Sequence, residues 1–210
     1  MSSVPPDSSE TLALLEEARR GERAAFERLF ARHRPALVRF IDLRLDRRVR
    51  PRLDPSDVVQ ETQMEAYRRL PDFLRRRPMP FRVWLRRTAY ERLLKVRRQH
   101  VESAQRSVRR EQALPDPSSV LLARRLLQSG LSPLRQLIAS EMAAHVAAAL
   151  ARLPEADREV LLMRNVEQLP YEEVACILGI EPAAARKRYG RALLRLRNLL
   201  FADGPPEAES

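Results

Sequence analysis

Residues 170–200 read PYEEVACILGIEPAAARKRYGRALLRLRNLL, and no other stretch of the chain is as informative. Its first apolar residues fall on one face of a short helix that begins near Tyr171. Gly179 follows where the chain must turn, because glycine adopts a positive φ at little cost. Glu181 and Pro182 then start a second helix, with the proline in its first turn. The pattern predicts a helix-turn-helix.

The second helix of this motif opens with small residues and continues with basic ones. Alanines are small enough for close approach to a DNA groove, and neighbouring cations bind phosphates while the start of a recognition helix meets base edges. A helical hairpin inside a bundle is the alternative interpretation. The predicted DNA-binding residues are Ala183, Ala184, Ala185, Arg186, Lys187, Arg188 and Arg191.

The charge of the chain is strongly positive and unevenly distributed. The formal net charge is +11. The stretch from Arg68 to Arg110 holds fifteen basic and three acidic residues. The stretch from Arg186 to Arg197 holds six basic residues and no acidic one. The stretch between them, Glu141–Glu173, holds seven acids and three arginines. Two basic clusters separated by an acidic stretch indicate two nucleic-acid contacts, although a solvated helix surface is the alternative.

Several classes of function are disfavoured by what the sequence holds. One cysteine, Cys176, excludes an internal disulfide and a cysteine metal cluster. A metal-dependent nuclease built on Asp57 and Glu61 lacks a third ligand, since the three histidines are scattered. We therefore predict no catalytic residue, metal or cofactor. No signal segment or membrane span is evident, and a cytoplasmic protein is expected.

The N-terminal half also predicts helices, because glycine and aromatic residues are few. Ser8 or Ser9 is expected to cap a helix that carries Leu12, Leu15 and Ala18 inward. Pro35 is expected to interrupt or restart the next helix. Asp54 and Pro55 start a helix with Val58, Val59, Thr62, Ala66 and Leu70 inside and with Asp57, Gln60, Glu61 and Glu65 outside. The segment Pro71–Pro80, with three prolines, is predicted to be a basic loop before a long helix from Phe81.

The predicted fold is all-α, with two small helical domains joined by a flexible linker. We expect tails over residues 1–10 and 202–210, a first domain over 11–99 and a second over 134–201. The less regular segment 100–133 is predicted to connect them.

The order of these parts resembles the sigma-70 factors that are reduced to their second and fourth conserved regions, the extracytoplasmic-function group. The resemblance covers roughly Leu12–Arg98 and Leu150–Leu200. AFERLFARHRPALVRF (25–40) is similar to the start of the second region, and DPSDVVQETQMEAYRRLPDF (54–73) to its polymerase-binding helix. PFRVWLRRTAYERLLKVRRQH (80–100) resembles the reader of the promoter −10 element. The stretch from Leu153 to Arg197 resembles the fourth region, which reads the −35 element.

The resemblance implies a non-enzymatic RNA polymerase sigma factor whose partners are core polymerase, at its β′ clamp helices and β subunit, and promoter DNA. Asp57, Gln60 and Glu61 would contact the clamp helices, although from the residues alone they favour a solvated face. The basic loop would hold a flipped base, and the helix-turn-helix would bind the −35 duplex. An anti-sigma factor is a further partner that the sequence leaves open. The residues implied for the −10 element are Arg75, Arg76, Arg77, Phe81, Arg82, Trp84, Arg86, Arg87, Tyr90, Arg97 and Arg98.

Some positions depart from the family pattern. Gln63 stands where an aromatic residue often follows the Gln-Glu pair, and Glu91 stands where asparagine is usual in the −10 reader. For Phe81 and Trp84 a place in the hydrophobic core is the favoured alternative to contact with DNA. A stand-alone helix-turn-helix regulator that binds duplex DNA without polymerase is the alternative for the whole chain.

Overall fold

The computed structural model describes residues 4–45, 54–104, 117–127 and 143–202. All regular secondary structure in these ranges is helical, which confirms the all-α prediction. The chain divides into two compact units, one over Met1–Arg109 and Cys176–Gly179 and one over Arg110–Ala175 and Ile180–Ser210. The helices described are α1 (Ser9–Arg19), α2 (Arg23–Asp42), α3 (Pro55–Arg76), α4 (Phe81–Ala104), α5 (Pro117–Leu127), α6 (143–151), α7 (Glu155–Asn165), α8 (Tyr171–Leu178) and α9 (Pro182–Ala202).

The predicted linker, 100–133, includes the last residues of α4 and all of α5. Helix α5 contacts α7 in the second unit. The domain limits themselves remain predictions, because residues 105–116 and 128–142 lie outside the described ranges.

Helix α1 begins where the sequence predicts, but its buried face is different. The Thr11 amide donates to the Ser8 hydroxyl at 3.4 Å, so Ser8 is the N-cap. The buried residues are Thr11, Leu14 and Leu15, spaced three and four apart on one side of the helix. Leu12 is 41% exposed, so the prediction that it points inward is wrong. Position 12 lies about 100° around the helix from position 11, which takes it off this face.

Helix α2 continues through Pro35, and the predicted interruption there is wrong. A proline inside a helix removes one backbone N–H and frees one carbonyl. Pro35 is solvent-exposed, so water can satisfy that carbonyl, while the buried face continues from Phe30 to Phe40 on the other side. The apolar stripe therefore holds the helix together across the proline.

Helix α3 is fixed at its start by a capping box. The Ser56 amide donates to Asp54 Oδ1 at 2.7 Å, and the Asp54 amide donates to Asp57 Oδ2 at 3.3 Å. Hydrogen bonds from Ser56 lower the pKa of the Asp54 carboxyl, since they favour its charged form. All five residues predicted to face inward, from Val58 to Leu70, are buried.

The predicted basic loop over Pro71–Pro80 is wrong in its first six residues. Helix α3 runs through Pro71 and ends at Arg76, so only Arg77–Pro80 separates it from α4. Pro71 is exposed, like Pro35, and Phe73 two residues later is buried in the core. Arg77 ends the helix with a left-handed backbone, φ 37°.

In the second unit, α7 packs on both α5 and α9. Residues Val160–Met163 of α7 are buried. Asp157, in the first turn of α7, forms an ion pair with Arg195 of α9, and its side chain is only 7% exposed. This ion pair joins the long helix of the helix-turn-helix to its scaffold.

Candidate polymerase and DNA interfaces

The structure confirms the helix-turn-helix. Helix α8 ends at Leu178, Gly179 takes a positive φ of 66°, and α9 begins at Pro182. The Ile180 amide donates to the Ala175 carbonyl at 3.0 Å, which closes the turn. A residue with a Cβ would be strained at that φ, so the glycine permits the tight connection.

The start of α9 presents an open basic surface. Arg186, Lys187 and Arg191 are exposed and Arg188 is half-buried. Arg186 is 2.8 Å from the Glu172 carboxylate. Lys187, Arg188 and Arg191 have no carboxylate within ion-pair distance among the described residues. These three cations are available for phosphate oxygens, and we call them the α9 cations.

The three alanines before them differ in exposure. Ala183 and Ala184 are exposed, whereas Ala185 is completely buried. Ala185 therefore packs against the unit's own core in this structure. Two small residues remain at the surface where α9 would approach a groove.

A tyrosine pair that sequence reasoning missed supports this surface. The rings of Tyr171 and Tyr189 meet edge to face, with centroids 5.9 Å apart. The Tyr189 hydroxyl donates to Asn165 Oδ1 at 3.2 Å, and the Arg164 guanidinium lies 4.2 Å from the centre of the Tyr171 ring. The sequence signal that could have revealed this pair is the presence of one tyrosine in each helix of the motif. The pair ties α7, α8 and α9 together at the helix that carries the α9 cations.

The predicted polymerase-binding residues lie near the start of α3. Asp57 and Gln60 are exposed and Glu61 is partly exposed. Two of them also have internal partners, since Asp57 completes the capping box and Glu61 Oε2 is 2.5 Å from Arg92. All three residues therefore lie on one helix, and Asp57 and Glu61 already make part of their polar interactions within the chain.

Next to these residues, α3 exposes apolar side chains that the sequence analysis did not single out. Met64 is 52% exposed and Tyr67 is 48% exposed. They follow Gln60 at spacings of four and seven, which places all three along one side of the helix. That spacing was visible in the sequence. A partner that binds α3 here would meet both polar and apolar groups.

The arginines predicted at the −10 element lie at the end of α3 rather than in a loop. Arg75 and Arg76 are exposed in its last turn, and Arg75 pairs with Asp72. Arg77 Nη2 is 2.5 Å from Glu16 of α1. Hydrogen bonding to Arg77 and then to Arg19 lowers the pKa of the Glu16 carboxyl.

Further along, the arginines of α4 are largely engaged inside the first unit. Glu91 accepts from Arg69 at 2.8 Å and from Arg87 at 3.1 Å. Arg97 donates to the Arg44 carbonyl at 2.5 Å. Arg86 is half-buried, and Arg98 is exposed.

The aromatic residues predicted at the −10 element form part of the core. Phe81 is completely buried and Tyr90 is 7% exposed. Trp84 is half-buried and stacks on Phe73, with ring centroids 4.6 Å apart. This burial favours the core alternative, most clearly for Phe81, because its ring has no free face for a base.

His33 lies beside this aromatic cluster, with its ring centroid 5.3 Å from that of Phe81. Burial lowers the pKa of its imidazole, and the nearby Asp7 acts in the opposite direction. In the described part of the chain, no three His, Cys, Asp or Glu side chains are grouped to hold a metal ion. No helix among the described residues is long and apolar enough to cross a membrane.

Two family profiles match separate ranges of the chain. Residues 29–102 match sigma-70 region 2, and residues 145–196 match sigma-70 region 4. RNA polymerase sigma factor CnrH of Cupriavidus metallidurans is 31% identical, over 95% of this chain and 97% of its own length. ECF RNA polymerase sigma factor SigD of Mycobacterium tuberculosis is 30% identical, over 91% of this chain and 84% of its own.

Solved structures show the same architecture. The structure of CnrH in complex with the cytosolic domain of CnrY has a TM-score of 0.55 and 25% identity, covering 93% of this chain and all of that one. Sigma factor RpoE with the anti-sigma factor NepR, from Bartonella quintana, has a TM-score of 0.54 at 23% identity, covering 85% of this chain and 98% of that one. The latter supports the fold alone. Taken with both matching regions, the 31% identity along almost the whole chain shows that the protein belongs to the sigma-70 family and is an RNA polymerase sigma factor of the extracytoplasmic-function type.

Proposed function

We propose that two surfaces of the chain have separate roles in promoter recognition. The side of α3 that carries Asp57, Gln60, Glu61, Met64 and Tyr67, which we call the α3 face, binds core polymerase, and the α9 cations bind the −35 duplex. Asp57, Gln60 and Glu61 supply the polar part of the polymerase contact, and Met64 and Tyr67 supply its apolar part. The basic end of α3 and the start of α4 then hold the melted −10 strand. Catalysis is left to the polymerase, and the chain acts in the cytoplasm, where polymerase and DNA are.

The observation that carries this proposal is that the α9 cations are not engaged in ion pairs with described residues. Lys187, Arg188 and Arg191 stand at the start of a second helix-turn-helix helix without an acidic partner in the described part of the chain. Cations that are not paired internally bind phosphates without first breaking an ion pair. A stand-alone regulator would need only this unit. The additional sigma-70 region 2 unit, with its exposed α3 face, supports the sigma factor instead.

An anti-sigma factor is the third partner we propose. The similar solved structure of CnrH, at 25% identity, is a complex with the cytosolic domain of CnrY. The exposed Met64 and Tyr67 give such a partner an apolar surface next to the polymerase-binding residues. A protein bound there would compete with polymerase for α3.

The experiment that tests the polymerase contact is co-elution of the purified chain with bacterial core RNA polymerase. The wild type is compared with the triple variant Asp57→Ala, Gln60→Ala, Glu61→Ala. We expect the wild type to co-elute and the triple variant to lose most of its binding. Absence of binding by a folded wild-type chain would overturn the proposal.

The structure supplies two matched controls, because the triple variant also removes internal contacts. Asp54→Ala breaks the same capping box while leaving Asp57, Gln60 and Glu61 in place. Arg92→Ala breaks the same ion pair from the other side. We expect both controls to retain co-elution. If Asp54→Ala loses binding as fully as the triple variant, then the stability of α3, and not direct contact, explains the loss.

A further inference from the structure

The N-terminal residues Val4–Ser8 lie against the start of α4, and their contacts there are unusual. We call this segment the N-terminal strap. Helix α4 begins at Phe81, directly after Pro80, whose side chain has no hydrogen-bond acceptor. The Pro80 carbonyl accepts from the Val83 and Trp84 amides, both at 3.0 Å. The first two amides of α4 therefore need an acceptor from elsewhere.

Asp7 supplies that acceptor from 74 residues upstream. The Phe81 amide donates to Asp7 Oδ2 at 2.5 Å, and the Arg82 amide donates to Asp7 Oδ1 at 3.3 Å. The Asp7 side chain is only 4% exposed. A carboxylate at a helix N-terminus satisfies unpaired N–H groups and is favoured by the helix dipole. Asp7 thus acts as the N-cap of α4, although it belongs to a different part of the chain.

Contacts on either side hold the strap in place. Arg82 reaches back to the Pro5 carbonyl at 3.0 Å and lies 3.6 Å from Asp7 Oδ1. Ser8, the next residue after Asp7, caps α1. Thr11, one turn further on, shares a hydrogen bond of 3.2 Å with His33 of α2. The strap is therefore anchored to α4 through Asp7 and Pro5 and continues into α1, which is itself joined to α2.

The same N-terminal part of the chain also holds the other end of the short α3–α4 connection. Arg77, which ends α3 with a left-handed backbone, pairs with Glu16 of α1 at 2.5 Å. Four residues, Arg77–Pro80, are thus held at their first residue by Glu16 and at the following helix start by Asp7. Neither contact is local in sequence: Asp7 accepts from two backbone amides of α4, and Glu16 pairs with the Arg77 side chain.

We infer that Asp7 is a positioning residue for recognition of the −10 element, acting through the connection Arg77–Pro80 and the first turn of α4. This inference rests on the proposed function, which places the −10 strand at this connection. Asp7 touches no DNA itself. It sets the geometry in which the neighbouring residues meet the strand, so its loss should weaken −10 discrimination while leaving core binding and −35 preference intact.

The test is a selection of promoters from a DNA library with randomised −35 and −10 positions, using core polymerase loaded with each variant. Asp7→Ala removes the cap, and Asp7→Asn keeps its shape with one acceptor oxygen. Glu10→Ala is the matched control, since it removes a carboxylate three residues away that is 64% exposed. From the usual effect of losing an N-cap, we expect −10 discrimination to fall about fivefold to tenfold for Asp7→Ala and less for Asp7→Asn.

A rescue separates capping from other roles of Asp7. Pro80→Ser places a capping hydroxyl directly before Phe81, where serine is a favoured N-cap. The double variant Asp7→Ala, Pro80→Ser should regain part of the lost discrimination, because the serine hydroxyl can accept from the Arg82 amide but not from the Phe81 amide. Unchanged −10 discrimination in Asp7→Ala, relative to Glu10→Ala, would overturn the inference. Parallel loss of core binding and −35 preference would also overturn it, because the strap would then serve only folding.

Amide hydrogen exchange at Phe81 and Arg82 provides a readout that does not depend on polymerase. Exchange at these two amides should accelerate about fivefold in Asp7→Ala. Pro80→Ser should return only the Arg82 amide toward the wild-type rate, because an N-cap hydroxyl accepts from the second or third helical amide and not from the first. Unchanged exchange would remove the physical basis of the inference. If amide exchange depends on Asp7 but the wild type fails to bind core polymerase, the proposed function is overturned. The inference about −10 positioning is then rejected with it.

Discussion

The two basic surfaces of this protein look alike in the sequence and differ in the structure. In the first unit, most arginines of α3 and α4 donate to carboxylates or carbonyls of that unit, as Arg69 and Arg87 do to Glu91. In the second unit, the α9 cations have no acidic partner within the described ranges. A run of basic residues therefore does not by itself indicate a nucleic-acid surface. The partners of each cation decide whether it supports the fold or remains available for phosphate.

The largest effect is expected from removing the α9 cations. In the triple variant Lys187→Ala, Arg188→Ala, Arg191→Ala, the affinity of holoenzyme for promoters selected by the wild type should fall roughly a hundredfold. The slope of log affinity against log salt should flatten by about 0.9 for each phosphate that the variant no longer neutralises. Filter binding or fluorescence anisotropy over a range of salt concentrations measures both quantities.

The matched control for this variant is Arg197→Ala, which removes an exposed arginine further along the same helix. It should leave the salt slope almost unchanged, because Arg197 lies about two to three turns from the α9 cations. If Arg197→Ala flattened the slope as much per charge, general attraction by net charge would explain the binding. The difference in ion pairing between the two basic surfaces would then not explain DNA binding.

The same contrast explains what could be predicted from the sequence. The helix-turn-helix, the cap at Asp54 and the buried face of α3 follow local rules of spacing and capping, and the structure confirms them. The continuations through Pro35 and Pro71 were mispredicted, because a proline on the exposed side of a helix is tolerated when the opposite face is well packed. Only the tertiary structure shows which face a proline occupies.

Contacts between distant residues were beyond the reach of the sequence for a related reason. Asp7 caps a helix 74 residues away, and Glu16 pairs with Arg77 across 61. No periodicity connects such residues. The α3 apolar pair, Met64 and Tyr67, could have been found from its spacing relative to Gln60, whereas the burial of Phe81 depends on where α4 packs.

A smaller effect is expected when an arginine pair of the first unit is released. Glu91→Gln removes the carboxylate that pairs with Arg87 and one of the two that pair with Arg69, which keeps Glu65. Arg87 above all therefore becomes more available to phosphate. Promoter affinity should rise by about twofold to fivefold at low salt, and the salt slope should steepen by about 0.9 for each additional phosphate that is neutralised. The same binding titrations detect the change.

For this prediction Glu10→Gln is the control, because it removes one exposed carboxylate of the same unit and releases Arg32. An equal rise in both variants would mean that only net charge matters. A rise confined to Glu91→Gln would show that the ion pairs of α4 restrain a DNA-facing surface, which sharpens the comparison of the two units.

The smallest expected effect is a dependence of stability on pH through His33. Burial lowers the pKa of this imidazole below its ordinary 6.5; Asp7 raises it, and the charges of Arg32, Arg82 and Arg86 lower it further. Because the folded state disfavours the proton more than the unfolded state does, stability from this group is present above pH 6.5 and is lost as the pH falls below it. Thermal unfolding from about pH 7.5 down to about pH 5.5 should show a declining Tm, and His33→Gln should reduce that decline. An equally steep decline in His33→Gln would mean that protonation of His33 does not destabilise the fold next to the arginines of the first unit. The pH dependence of the Tm would then come from another group.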